Sequence, residues 1–116
     1  MNPKHMNPKH LNPEHLNPEH LNIAYDELMT WGPRLGEPLL PRILERIPEI
    51  SFEMAIELEA KCGKAQRLAN ELCERAHAGE LAQSQVQKLL LEQFAWVDAV
   101  NLSHAFSQGM YYAWHG

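Results

Sequence analysis

The stretch AIELEAKCGKAQRLANELCERA, residues 55–76, decides the fold of this chain. Small and apolar residues recur in it in alternating steps of three and four over three heptads, which predicts one long helix with a continuous packing seam. Four of the seven seam residues are alanine, so a neighbouring helix can come closer than leucine side chains would allow. The seam residues are Ala55, Leu58, Cys62, Ala65, Ala69, Leu72 and Ala76.

Residues on either side of this stretch set where the long helix begins and ends. Ser51 has the side chain of a good N-cap, and Gly79 can adopt the left-handed conformation that stops a helix. We therefore expect a helix over residues 51–78. Residues 82–94 have apolar side chains on one face and glutamines on the other, so a second helix is expected to fold back on the first as a hairpin.

The rest of the chain predicts three more helices. Residues 22–31 and 40–47 have helical patterns, and Asn22 is the candidate cap of the first. A last helix opens at Asp98 or Asn101. The alternation typical of strands does not occur. We therefore predict an all-α fold, a small bundle of about five helices around the central long helix.

The last helix carries a second stripe of small residues, Ala105, Gly109 and Ala113, at steps of four. Glycine inside a helix costs roughly 1 kcal/mol relative to alanine. Close approach of another backbone is the expected compensation at Gly109. Two such stripes exceed what a single hairpin needs, and we interpret the surplus as a surface for self-association.

The segment MNPKHMNPKHLNPEHLNPEH, residues 1–20, repeats a five-residue unit four times. Proline in every unit prevents a continuous helix, but Asn-Pro is a good helix opening, so each unit is expected to form one capped turn. We divide the chain into a pentapeptide-repeat arm, residues 1–20, and a single helical domain, residues 21–116. Evenly spaced Met and Leu side chains suggest that the arm docks on an apolar groove.

The repeat arm also presents one histidine in every unit. Imidazole is the commonest ligand for transition metals, so a site for Zn, Ni or Cu is one interpretation. The other is that a short DNA segment was duplicated and the histidines have no role. The candidate metal ligands are His5, His10, His15 and His20.

Charge and composition bear on the class of partner and on location. The formal charge is −5 and the four charges of the arm cancel, so the acidic excess lies in residues 21–116. An acidic body argues against nucleic acid or anionic lipid, which bind clustered Lys and Arg. The sequence has neither an apolar run of roughly 18 residues nor a signal-peptide core, so we expect a cytoplasmic protein. Cys62 and Cys73 lie about 16 Å apart on one helix and cannot pair.

Motifs for catalysis are weak. Glu74 and His77 form a Glu-x-x-His pair of the kind that di-iron bundles use, but the heptad places both side chains away from the seam. His104 lies near Ser103 and Ser107 without an acid to orient it or a site for an oxyanion. No catalytic site is therefore evident in the sequence, and a small enzyme built on His104 or His77 is the third interpretation, which would require a pocket with perturbed groups around either residue.

Aromatic residues concentrate near the C-terminal end, where six of the nine fall within residues 94–114. One neighbouring helix cannot bury them all. Core packing is the default expectation for Phe94, Phe106 and Trp114. Tyr and Trp are also the residues that most often anchor protein interfaces. The candidate partner-binding residues are Trp96, Tyr111, Tyr112 and Trp114.

These observations favour a protein-interaction domain without a cofactor. It would bind a second copy of itself as a homo-oligomer, or another protein chain, through the small-residue stripes and the aromatic end. Metal binding by the histidines of the arm, with Zn or Ni, is the alternative from a different functional class.

Overall fold

The computed structural model describes residues 16–30 and 36–115. Within those residues every regular element is a helix, which confirms the all-α fold. The first three repeat units, with His5, His10 and His15, lie outside the described residues. The helices are α1 (Pro18–Leu28), α2 (Leu39–Arg46), α3 (Phe52–His77), α4 (Gln83–Gln93) and α5 (Ala99–His115).

Helix α3 begins and ends as the sequence predicts. The Ser51 Oγ accepts a hydrogen bond of 3.0 Å from the backbone N–H of Met54, which caps the first turn. Gly79 follows the last turn with a positive φ of 85°. The backbone N–H of Glu80 donates to the carbonyl oxygen of Arg75 at 2.8 Å, the long bond of a Schellman motif. The chain then turns back into α4.

The seam of α3 is the centre of the core, and the other four helices all contact α3. Six of the seven predicted seam residues are buried, from Ala55 to Leu72. The seventh, Ala76, is only half-buried. Cys73 is buried in addition and faces α5. The central position of the long helix and its hairpin with α4 are therefore confirmed.

Helices α3 and α5 approach each other closely at Gly109. A Cβ atom built on this glycine would stand 2.5 Å from the Cys73 Sγ and 3.4 Å from the carbonyl oxygen of Ala69. Ala105, one turn earlier, is fully buried. The predicted close backbone approach at Gly109 is confirmed. The small-residue seam of α3 and the small-residue stripe of α5 pack on each other, so both are used within one chain.

Contacts along α3 and α5 show that the two helices run in the same direction. The Gln66 Nε2 donates to the Gln108 Oε1 at 3.3 Å, and further along both helices the rings of His77 and Trp114 lie 5.0 Å apart. Helix α4 supplies the return path between them. The C-terminal ends of α3 and α5 therefore lie side by side at one end of the bundle.

Helix α1 begins five residues earlier than predicted, with Asn17 rather than Asn22 as its cap. The Asn17 Oδ1 accepts from the backbone N–H of Glu19 at 2.7 Å, and Pro18 occupies the first helical position. The fourth repeat unit therefore opens α1. Its capped turn continues as a helix because Ile23 stands where the next proline of the repeat would fall. The division of the chain at residue 20 stays a prediction.

Asn22 instead fastens α1 to the loop between α4 and α5. Its Nδ2 donates to the carbonyl oxygen of Trp96 at 2.7 Å, and its Oδ1 accepts from the backbone N–H of Asp98 at 2.9 Å. The Asn101 side chain donates to Asn22 as well, at 2.9 Å. Asp98, rather than Asn101, caps α5, because its Oδ1 accepts from the Asn101 backbone N–H at 2.8 Å.

A buried ion pair joins α1 to α2. The Arg42 Nη1 lies 3.2 Å from the Glu27 Oε1, and both residues are buried. Arg46 donates to the second oxygen of Glu27 at 3.1 Å and to Asp26 at 2.8 Å. Both oxygens of the buried carboxylate are therefore satisfied, which is the condition for a buried ion pair to be tolerated.

Both cysteine thiols are free and buried. Burial raises the pKa of the Cys62 thiol to about 12 and that of the Cys73 thiol to about 11. Each thiol donates weakly to a backbone carbonyl oxygen, Cys62 to Leu21 at 3.4 Å and Cys73 to Phe106 at 3.6 Å. The reactive thiolate form is therefore suppressed in the folded protein.

The close approach at Gly109 predicts that Gly109→Ala destabilises the fold. The added methyl group must displace the Cys73 side chain or separate α3 from α5, and such overpacking costs about 1–3 kcal/mol. Urea unfolding measures the free energy. Combining Gly109→Ala with Cys73→Ala removes the nearest atom and should restore part of the loss.

Gly63→Ala is the matched control in the same bundle. The nearest atom to a Cβ at Gly63 is the flexible Arg67 Nη1 at 3.6 Å, so this change should stabilise α3 by about 0.5–1 kcal/mol. Equal effects of the two substitutions would contradict the close approach at Gly109.

The raised pKa values predict that neither thiol reacts with an aromatic disulfide reagent at pH 8 while the protein is folded. Both should react at once in guanidinium. The pKa of each thiol in the folded chain lies above its ordinary value of 9.0. The contribution of each protonated thiol to the free energy of unfolding is therefore complete below pH 9 and is lost as the pH rises toward 11 for Cys73 and 12 for Cys62. Rapid labelling of the folded chain would contradict this burial.

Candidate functional site

One face of α5 forms an exposed stripe along the whole helix, which we call the outer stripe. Its residues are spaced three, four, four and three apart, so they lie within a narrow sector opposite the face that packs on α3. All are exposed. The outer stripe consists of Val100, Ser103, Ser107, Tyr111 and Trp114.

The outer stripe has apolar side chains at both ends and the short side chains of two serines in the middle. Val100 and Trp114 are 75% and 70% exposed, the highest values among the exposed large hydrophobic residues of the described chain. Tyr111 is 47% exposed. The two serines between them have short side chains. The expectation that Trp114 packs in the core is therefore wrong. Phe94 is buried, as expected, and Phe106 is half-buried.

No formal charge lies on α5. Residues 99–116 contain no Asp, Glu, Lys or Arg, although these residues make up 22% of the chain. Interfaces between proteins are depleted of charged residues at their core and enriched in Tyr, Trp and Phe. The outer stripe has both features.

Histidines border the aromatic end of the outer stripe. The ring of His77, on α3, lies 5.0 Å from that of Trp114. The ring of His115 lies 4.1 Å from that of Tyr111, and its Nδ1 is 2.9 Å from the Tyr111 carbonyl oxygen. These contacts hold the two large side chains at the C-terminal end, which reduces the entropy lost when a partner binds them.

The sequence-predicted partner residues do not form one group. Tyr111 and Trp114 share the outer stripe. Tyr112 is exposed and lies about 100° around the helix from Tyr111, but its ring makes an edge-to-face contact with that of Tyr111 at 5.9 Å. Trp96 is half-buried in the loop before α5 and makes edge-to-face contacts with Tyr25 at 5.6 Å and with Phe94 at 6.3 Å. Its indole packs against the core, and Trp96 also lines a groove at the N-terminal end of α5, so its role in partner binding stays a prediction.

Sequence reasoning missed Val100, which opens the outer stripe. A single exposed valine has no distinctive local pattern. Two features of the sequence indicate it: the uncharged run of residues 99–116 and the spacing of seven that relates Val100 to Ser107 and Ser107 to Trp114.

A groove of about 580 Å³ adjoins Val100 at the N-terminal end of α5. Its walls combine apolar side chains with the carboxylates of α1 and the α4–α5 loop. Arg46 partly neutralises Asp26 through an ion pair of 2.8 Å. The residues that line the groove are Pro18, Glu19, Asn22, Ile23, Asp26, Arg46, Trp96, Asp98, Val100 and Asn101.

The residues considered for catalysis do not converge in the structure. Glu74 and His77 are exposed, as the heptad predicts, and His77 contacts Trp114 rather than a second acidic residue. Ser103 and Ser107 belong to the outer stripe, and His104 is half-buried beside it. An active site would require these groups to meet in a shared cleft.

Tyr25 is the one fully buried phenol of the described chain. Its hydroxyl has no hydrogen-bond partner among residues 16–30 and 36–115. Burial raises the pKa of this phenol, and the nearby Cys62 and Cys73 raise it further. A hydroxyl that stays protonated and inaccessible has no acid–base role near neutral pH.

His20 is the one arm histidine within the described residues. Its Nε2 lies 3.5 Å from the Glu49 Oε2, beside a second groove of about 380 Å³ that includes Ile50 and Met54. Across residues 16–30 and 36–115, no group of three or more potential metal ligands comes together. A metal ion held at His20 would need ligands from the earlier repeat units.

Comparisons with known proteins identify no family for this chain. None of the helices in the described part of the chain has the length and apolar character to cross a membrane. The chain matches no protein-family model, no curated protein and no solved structure.

Proposed function

We propose that this chain is a small protein-interaction domain that binds through the outer stripe of α5 and forms a homo-oligomer. The observation that carries the proposal is the uncharged, aromatic-ended helix face, which runs the full length of α5. A helix of 17 residues is about 25 Å long, comparable to the width of a small interface.

The charge of the chain disfavours self-association through its acidic faces. Each copy carries a formal charge of −5, so two copies repel one another wherever acidic surfaces meet. The outer stripe has no carboxylate. Two copies that meet there bury aromatic and aliphatic surface without burying an unpaired charge, which would cost several kcal/mol.

The small-residue stripes do not support the proposal. They were interpreted as surplus contact surface, but Ala69, Gly109 and their neighbours pack on one another inside the chain. The proposal therefore depends on Val100, Tyr111 and Trp114, which are 75%, 47% and 70% exposed in the folded chain.

The proposed function predicts that Trp114→Glu abolishes the dimer. A charge at the aromatic end must be desolvated on association, and a tryptophan anchor contributes about 2 kcal/mol or more. The dissociation constant should rise at least tenfold, as measured by sedimentation equilibrium over a range of concentrations.

Phe52→Glu is the matched control. Phe52 is 56% exposed in the first turn of α3, where a carboxylate is favourable, and it lies at the opposite end of α3 from the His77–Trp114 contact. This variant should dimerise like the parent chain. Loss of the dimer in Phe52→Glu but not in Trp114→Glu would contradict the proposed function.

Metal binding is the second candidate function, and the contact between His20 and Glu49 favours it. A carboxylate near an imidazole fixes the orientation of the ring, as is usual at metal sites. The folded body would supply this pair, and His5, His10 and His15 would supply further ligands from the arm. Zn or Ni fits these ligand types.

Titration calorimetry with Zn²⁺ on the full chain tests this second function. His20→Gln should weaken binding at least tenfold and Glu49→Gln should weaken it less, because the carboxylate acts through the histidine. His104→Gln, on α5, is the control and should leave binding unchanged. Binding should also weaken in acid, since imidazole coordinates metal in its neutral form. Equal affinity in all three variants would contradict a site at His20.

A further inference from the structure

The side chains of the outer stripe become larger toward the C-terminal end, and this gradient favours one arrangement of two copies. The N-terminal part of the stripe has the shorter side chains of Val100, Ser103 and Ser107. The C-terminal part has the large aromatic side chains of Tyr111 and Trp114. In a parallel pair the large residues would meet each other and the small residues would leave a gap. In an antiparallel pair each large residue meets a small one, which gives close packing along the whole helix.

Ser107 lies at the midpoint of this pattern. Val100 precedes it by seven residues and Trp114 follows it by seven, so each is about 10 Å from Ser107 along the helix axis. A two-fold axis through Ser107 therefore brings Val100 of one copy opposite Trp114 of the other, twice. An interface between two identical chains is self-complementary in this way when the same patch is used on both.

The groove beside Val100 gives the indole of Trp114 a place to bind. Its volume of about 580 Å³ is ample for one indole, and Ile23, Val100 and Trp96 supply apolar walls. The carboxylates of Asp26 and Asp98 on its rim are acceptors for the indole N–H. A large aromatic side chain that enters such a pocket is the usual anchor of a protein interface.

We infer that two copies of this chain pair through antiparallel α5 helices about Ser107, with Trp114 of each copy seated in the groove beside Val100 of the other. The inference rests on the proposed function and specifies its partner and geometry. One helix face and two anchors make a small interface, so the dimer dissociates reversibly on dilution.

A charge exchange across the interface tests the geometry in the full chain. Trp114→Glu alone should dissociate the dimer. Adding Val100→Lys should restore most of the lost affinity, because each lysine then faces the glutamate of the other copy. In a parallel pair the same double variant would place like charges together and dissociate further. Sedimentation equilibrium measures both dissociation constants.

Oxidative cross-linking provides an independent measurement with smaller changes. Ser107→Cys should form a disulfide dimer under mild oxidation, because residue 107 faces itself across the two-fold axis. Ser103→Cys should not, because its two copies lie about 12 Å apart along the axis, beyond disulfide reach. Cys62 and Cys73 do not interfere, since both are buried.

The outcomes separate this inference from the proposed function. Restoration by Val100→Lys together with cross-linking of Ser107→Cys alone supports the antiparallel pair. A dimer that Trp114→Glu dissociates, but in which Ser103→Cys cross-links and Val100→Lys restores nothing, overturns the antiparallel geometry and leaves the proposed function intact. A parent chain that sediments as a monomer at all concentrations overturns both.

Discussion

The close approach of α3 and α5 at Gly109 is the constraint on which the rest of the structure depends. With 2.5 Å between a hypothetical Cβ and the Cys73 Sγ, any residue larger than glycine must displace the Cys73 side chain or separate the two helices. A helix is a rigid rod, so fixing the inner face of α5 also fixes the direction of its outer face. The orientation of Val100 and Trp114 toward solvent therefore follows from a contact on the opposite side of the same helix.

Much of this architecture could be predicted from the sequence because the residues that form helices α3 and α5 also make the packing contacts between them. The heptad period, the Ser51 cap and the Gly79 stop all indicate the same helix, and the unfavourable glycine in α5 indicates a close neighbour. Contacts between residues that are far apart in the sequence have no such local pattern. The Glu27–Arg42 ion pair and the bonds of Asn22 to the α4–α5 loop depend on the folded arrangement, and neither has a sequence period.

The candidate site was predicted only in part, for a related reason. A concentration of aromatic residues marks a region, but the helical turn decides which members share a face. Tyr111 and Trp114 lie on one face, Tyr112 lies about 100° away with its ring still in contact with that of Tyr111, and Trp96 lies in the loop before α5. The absence of Asp, Glu, Lys and Arg in α5 is visible in the sequence and distinguishes this helix from the rest of the chain. Because the outer stripe and the packed face use different residues, the surface can change without disturbing the core.

The use of the fourth repeat unit to open α1 gives the N-terminal region a built-in redundancy. Residues 11–15 and 16–20 have the same sequence, LNPEH. Loss of either unit during replication would leave an identical LNPEH unit, with the same Asn-Pro cap, joined to Leu21. Slippage in this part of the gene can therefore lengthen or shorten the protein in steps of five residues while its first helix keeps an intact beginning.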